Sequence, residues 1–126
     1  MIQDRTLVTI ADNTGAKIGR IFKVLGSSKK RYARIGDIVV LSVQTAEPRK
    51  SAKKKDVLRA VVVRQSAPLH RKDGSVIRFD DNAVVIIEGT GKNAKEPKAG
   101  RIFGPIPREL QELGYQTIIS RAPEVV

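Results

Sequence analysis

The chain has 126 residues, enough for one core that buries about two-thirds of the unfolded surface without covalent staples. It carries 24 Lys and Arg against 13 Asp and Glu, a formal net charge of +11, with one histidine and no cysteine. This excludes disulfide frameworks, thiol nucleophiles and zinc sites built on cysteine or several histidines, and it points to a polyanionic partner.

In chain order, six Val- and Ile-rich segments read as strands: TLVTIA at 6–11, IGRIFKVL at 18–25, DIVVLSV at 37–43, VLRAVVVR at 57–64, SVIRF at 75–79 and AVVIIE at 83–88. Turn formers separate them, namely DNTG at 12–15, GSS at 26–28, Gly36-Asp37, Pro48 and Asp73-Gly74. The last is a two-residue step suited to the type I′ turn of a hairpin, which places Arg71, Lys72 and Arg78 on a projecting ribbon. So few short strands make too small an open sheet to bury VVLSV and AVVVR on both faces, so the predicted fold is all-β, a small closed barrel without sticky edges. Beyond Phe103 the pattern changes. Pro107 can occupy a first helical position, Ile106, Leu110 and Leu113 share one side, and Gly114 can end the helix. A second helical turn is predicted from 117 to 121, anchored by Ile118 and Ile119 and stopped by Pro123. No internal repeat or low-complexity linker divides the chain, so one domain is expected over 1–126, with barrel and ribbon at 1–104 and a C-terminal helical module at 105–126. The opening MIQDRTLVTIADN lacks a leader pattern and no apolar run approaches the ~20 residues that cross a bilayer, so a soluble, cytoplasmic protein with no membrane partner is expected.

The cations cluster. Lys29, Lys30, Arg31 and Arg34 lie in SSKKRYAR, and Arg49, Lys50, Lys53, Lys54 and Lys55 in PRKSAKKKD, with no acid inside either run. On strand connections such runs neutralise phosphates; a merely solvated loop explains any one run equally well, but not the set together with the net charge. Tyr32 could stack on a base. The preferred reading is that its ring packs on the barrel, because Phe22, Tyr32, Phe79, Phe103 and Tyr115 are the only aromatics and are expected to serve the core. That weakens a single-strand reader of the cold-shock type.

Catalysis is poorly supported. Adjacent Asp80 and Asp81 point to opposite faces of a strand and are expected to cap a turn and to be solvated. His70, in APLHRKDG, has no partner spacing for a metal or a triad and reads as a surface residue. EGTGKNAK lacks the GxxxxGK[ST] spacing of a phosphate loop. No enzyme activity, cofactor or metal is expected.

The stretch AVVVRQSAPLHRKDGSVIRFDDNAVVI, together with ADNTGAK, RYARIGDIV, RIFGPIPREL and IISRAPEVV, closely resembles the universally distributed fourteenth protein of the large ribosomal subunit in its bacterial form, almost from end to end. The resemblance implies a five-stranded β-barrel, a projecting β-ribbon and C-terminal short helices. It implies a structural constituent bound to large-subunit rRNA at the intersubunit face, in contact with neighbouring large-subunit proteins and with small-subunit rRNA through a bridge, and in many bacteria docked by a ribosome-silencing factor. The rRNA-binding set is then Lys29, Lys30, Arg31, Tyr32, Arg34, Arg49, Lys50, Lys53, Lys54, Lys55, Arg64, Arg71, Lys72 and Arg78. The intersubunit or partner surface holds Lys98, Gly100, Arg101 and Arg108. Two features depart from the family pattern: a longer GTGKNAKEPKAG, adding Lys92, Lys95 and Lys98 and placing Gly100 where a threonine is usual, and Lys55 where a glycine or other small residue is common. The alternatives are a free RNA-binding barrel acting in translation or RNA folding, and an RNA-modifying or RNA-cleaving enzyme.

Overall fold

A computed structural model describes residues 2–26, 31–48, 54–88 and 96–126. In chain order its elements are β1 (Leu7–Ile10), β2 (Ala16–Val24), β3 (Ile38–Ala46), β4 (Val57–Arg64), β5 (Leu69–His70), β6 (Val76–Ile77), β7 (Ala83–Glu88), β8 (Glu96–Pro97), β9 (Pro105–Ile106), α1 (Glu109–Glu112), α2 (Gln116–Arg121) and β10 (Glu124–Val125). Strands β1, β2, β3, β4 and β7 pair in that order, all antiparallel, and the parallel pairing of β1 with β7 through Thr9↔Ala83 and Ile10↔Val84 closes a five-stranded barrel. The closed barrel expected from the strand pattern is therefore the fold.

Cross-strand partners share a face of the sheet. The pairs Val39↔Ala60, Ala60↔Ile86, Val62↔Val84 and Ile10↔Val84 therefore line the barrel interior, where all of these residues are buried. Around Val61 and Val85 the opposite face of β4 and β7 is buried as well. It can be so only because the C-terminal segment covers it, contributing Ile106, Leu110, Tyr115 and Ile118 to the same cluster. This double burial explains why AVVV at 60–63 and AVVII at 83–87 read as unbroken apolar runs, whereas β3 alternates.

The C-terminal segment departs from expectation in detail. Ile106 lies in β9, paired in parallel with Val125 of β10, so Pro107 precedes α1 instead of opening it. Leu113 follows the helix half-exposed, with its side chain seated against Gly36, so the apolar face consists of Ile106 and Leu110. The second predicted turn is α2, with Ile118 buried and Ile119 partly so. Tyr115, between the helices, donates its hydroxyl to Gly36 O at 2.9 Å, and burial raises its ionisation above the usual 10.0, which keeps the donor in place.

The barrel also encloses one carboxylate. Asp12 is 2 % exposed; its Oδ1 accepts from Thr14 N (3.1 Å) and Thr14 Oγ1 (2.6 Å), and its Oδ2 from Ile86 N (2.9 Å). These bonds tie the chain leaving β1 to the middle of β7. An asparagine offers one acceptor oxygen instead of two and leaves a buried donor unmet, so Asp12→Asn is expected to cost about 2 kcal/mol at neutral pH in a denaturant titration. Burial lifts the Asp12 carboxyl above its ordinary 3.8 despite the opposing hydrogen bonds. Between 3.8 and that raised value the folded chain holds more protons than the unfolded chain, so the stability supplied by Asp12 falls as pH rises through this window. The gap between wild type and Asp12→Asn should accordingly be wider in acid than at pH ~7.

Candidate nucleic-acid interface

The connection from β2 to β3 alternates. Ala33 and Ile35 are buried, Ala33 bridging to Ile2 and Ile35 N donating to Gln65 Oε1 at 3.1 Å. Arg31, Tyr32 and Arg34 consequently face solvent. Tyr32 is 42 % exposed and stands outside the buried core. Phe22 and Phe103 are also about half exposed, so only Phe79 and Tyr115 among the five aromatics serve the core. The aromatics are thus not used up inside the barrel, contrary to expectation. Lys29 and Lys30 lie outside the described residues.

The connection from β3 to β4 carries Lys54 and Lys55, both exposed; Arg49, Lys50 and Lys53 lie outside the described residues. Lys55 adopts φ 73°, in the left-handed region, while its N–H donates to Val43 O at 2.8 Å. Glycine adopts this conformation without a Cβ penalty, whereas any other residue is strained there. Here a lysine accepts the strain and adds a cation at the mouth of the loop.

The ribbon is β5 paired with β6 through Leu69↔Ile77 and His70↔Val76. Its turn is not type I′. Arg71 N donates to Ser75 O and Gly74 N to Arg71 O, so Lys72 and Asp73 are the central residues, followed by Gly74 at φ 91°, a three-residue loop whose left-handed position glycine fills without strain. Asp73 Oδ1 accepts from Ser75 N and Ser75 Oγ, which holds its carboxyl below the usual 3.8 and fixes the tip. Lys72 and Arg78 are exposed.

Two arginines of the candidate set have other work. Arg64 is buried: Nε and Nη2 donate to the Asp81 carboxylate at 3.0 and 3.2 Å, and Nη1 donates to Phe103 O at 2.9 Å and Pro105 O at 3.3 Å. Gly104 passes so close, at φ 79°, that a Cβ would collide with Nη1. Arg71, its side chain 14 % exposed, forms a close ion pair with Glu109 and donates from Nη2 to Val126 O at 2.8 Å, pinning the ribbon to α1 and to the last residue. Asp81, expected to be solvated or to cap a turn, is the anion of the Arg64 pair, while Asp80 is exposed as expected.

Lys98, Gly100 and Arg101 are exposed on the strip leading into RIFGP, whereas Arg108, also exposed, stands beside the ribbon tip with Nη2 3.9 Å from Asp73 Oδ2. The strip before RIFGP is held by Lys98 N donating to Ile86 O (3.0 Å), by Arg101 N donating to Asn13 Oδ1 (3.3 Å), and by Arg121 Nη1 donating to Pro97 O and Ala99 O. Open space surrounds Gly100, where a Cβ would meet no neighbour. Sequence reasoning missed Arg121 as the brace of this strip; its only signal was a lone arginine in IISRAP. Lys92 and Lys95 lie outside the described residues.

Chemically the surface offers cations, exposed aromatics and backbone groups. His70 is exposed, and among the described residues no group of three His, Asp or Glu side chains is placed to hold a metal ion. A small closed barrel with cationic connections and a cationic ribbon defines a basic scaffold protein. Residues 1–126 match the family described as ribosomal protein L14p/L23e, and the chain belongs to that family. It is thus a structural constituent of the ribosome, from a family that is not enzymatic, and the resemblance carried by the five sequence motifs is borne out.

Proposed function

We propose that this protein binds large-subunit rRNA at the face that meets the small subunit and contributes to a bridge with small-subunit rRNA. The observation that carries this reading is the exposure of Arg31, Arg34, Lys54, Lys55, Lys72 and Arg78 on connections and a ribbon that leave one rigid barrel. Such side chains reach backbone phosphates, and the barrel fixes their relative positions, so affinity comes from counterion release and selectivity from the shape of folded RNA. Of the candidate set, Arg64 and Arg71 act through the fold: they hold the C-terminal segment and the ribbon in place for the cations that reach RNA.

Lys98, Gly100 and Arg101, together with Arg108 beside the ribbon tip, are the candidates for the bridge, for a neighbouring large-subunit protein and for a silencing factor where one exists. The chain acts as one domain, its barrel and C-terminal module joined by the Arg64 and Arg71 contacts, in the ribosomes of the cytoplasm; among the described residues no helix is long and apolar enough to cross a membrane. Mass spectrometry of large subunits washed in high salt tests the reading. Stoichiometric retention, with protection of large-subunit rRNA in a footprint, is the expected result. Recovery mainly in the ribosome-free fraction would instead identify a free RNA-binding factor.

A further inference from the structure

The outward face of β1 to β4 belongs to none of the surfaces described above. Two cross-strand rows run over it: Leu7↔Arg20↔Ser42↔Val57, and Lys23↔Val40↔Arg59. Between the rows the register shifts, because β2 advances from Ile21 to Lys23 while β3 advances from Leu41 to Val40. Phe22 is the extra residue of this bulge, which leaves both Phe22 and Lys23 on the solvent side. Phe22 is 48 % exposed, and Leu7 and Val57, at the ends of the first row, are 52 % and 62 % exposed.

We infer that this face is a second RNA-binding surface, on which Phe22 stacks an unpaired base while Arg20, Lys23 and Arg59 hold the flanking phosphates. The inference rests on the rRNA-binding reading and adds to it a site and a mode of contact. Three observations carry it. An aromatic ring standing half out of a sheet, with a cation on each side, is the arrangement that single-stranded nucleic acid uses, since every base offers a π-face. The rows hold three cations and no acid, so the local field attracts phosphate. Strands lie about 4.8 Å apart, so Lys23 and Arg59, two strands apart, stand roughly 10 Å from each other and leave a backbone room to pass between them. A protein-docking patch would have the reverse layout, with lysine excluded from its centre and charge confined to the rim.

The chain contains no tryptophan, so Phe22→Trp supplies a single reporter at the site. Binding of the full-length protein to purified large-subunit rRNA is followed by filter retention and by indole emission, with circular dichroism confirming the fold of each variant. Expected are quenching of the indole emission of the Phe22→Trp variant on saturation, a loss of affinity of roughly 5- to 100-fold for Phe22→Ala with an unchanged salt slope, and a salt slope shallower by about 2 to 3 units for the triple variant Arg20→Gln, Lys23→Gln, Arg59→Gln. Tight binding by wild type with an unquenched reporter, and with Phe22→Ala and the triple variant behaving like wild type, overturns this site and leaves the rRNA reading standing. Absence of rRNA binding by wild type overturns both. An emission that shifts only after other subunit proteins are added, with RNA affinity untouched by the substitutions, assigns the face to a protein neighbour and overturns the RNA assignment.

Discussion

Arg64→Met is expected to lower the stability of the isolated protein by about 3 kcal/mol, the lower end of the cost of breaking a buried ion pair, because Asp81 keeps 40 % exposure and can recover water. For a chain of this size that is a fall in Tm of roughly 10 °C. Methionine replaces most of the aliphatic stem and none of the donors, so the loss isolates the guanidinium: the pair with Asp81 and the two carbonyls of Phe103 and Pro105 lose their partner. Gly104→Ala should produce a similar loss by a different route. Its Cβ needs the place of Arg64 Nη1, and the guanidinium is the far end of a flexible side chain only in name, since four hydrogen bonds, two of them from Nη1, hold it in a site with 9 % exposure. Thermal melts of the two variants check this directly. A variant Arg64→Met that melted like wild type yet bound rRNA more weakly would return Arg64 to the RNA-contacting set.

Arg64 also shows where reading the sequence stops. VLRAVVVR announced a strand, and the tight run of Val and Ala announced burial, but nothing in the chain said that the closing arginine turns inward. Its partner Asp81 is 17 residues away and its carbonyl acceptors about 40, so the contact exists only once the barrel has brought β4, the entry to β7 and the RIFGP strip together. Arg71 is the same case, 38 residues from Glu109. Basic residues in a basic protein read as ligand contacts by default, and burial alone separates those that face outward from those that hold the fold.

The strands themselves were legible because a period of two and β-branched composition are local signals, and closure followed from counting what a small sheet could bury. The ribbon turn was legible as a turn but not as to type: Asp73-Gly74 fits a two-residue loop equally well, and the Asp73 side chain capping Ser75 shifted the register by one. Aromatics usually go to the core, so from the sequence Phe22 reads as a core residue. In IGRIFKVL the strict alternation breaks at that residue, and a β-bulge was the available explanation for a large apolar side chain on the wet side. Asp12 gave less warning still, since DNTG is an ordinary turn sequence and the bond to Ile86 spans 74 residues.

The largest change in RNA affinity is expected from the loop of residues 49–55, where Arg49, Lys50, Lys53, Lys54 and Lys55 place five positive charges in seven residues between β3 and β4. Both strands are fixed in the barrel, and Lys55 N and Asp56 O bond across to Val43, so the exit of the loop is held in register. On the rRNA-binding reading proposed above, these cations meet several phosphates at once, and release of the condensed counterions drives association. With about four of these charges on phosphates, replacing Lys50, Lys53, Lys54 and Lys55 by Gln should make the plot of log affinity against log salt shallower by about 3 to 4 units. Glutamine at position 55 inherits the same left-handed backbone as lysine, so the experiment changes charge and leaves the strain in place. Stability should hold or rise slightly, because Lys54 and Lys55 are exposed and their mutual repulsion is relieved. The check is a salt titration of rRNA binding for wild type and variant, with circular dichroism on both. An unchanged slope in a folded variant would place the main electrostatic contact elsewhere, on Arg31 and Arg34 with the ribbon cations Lys72 and Arg78, and would leave the 49–55 run as a solvated loop.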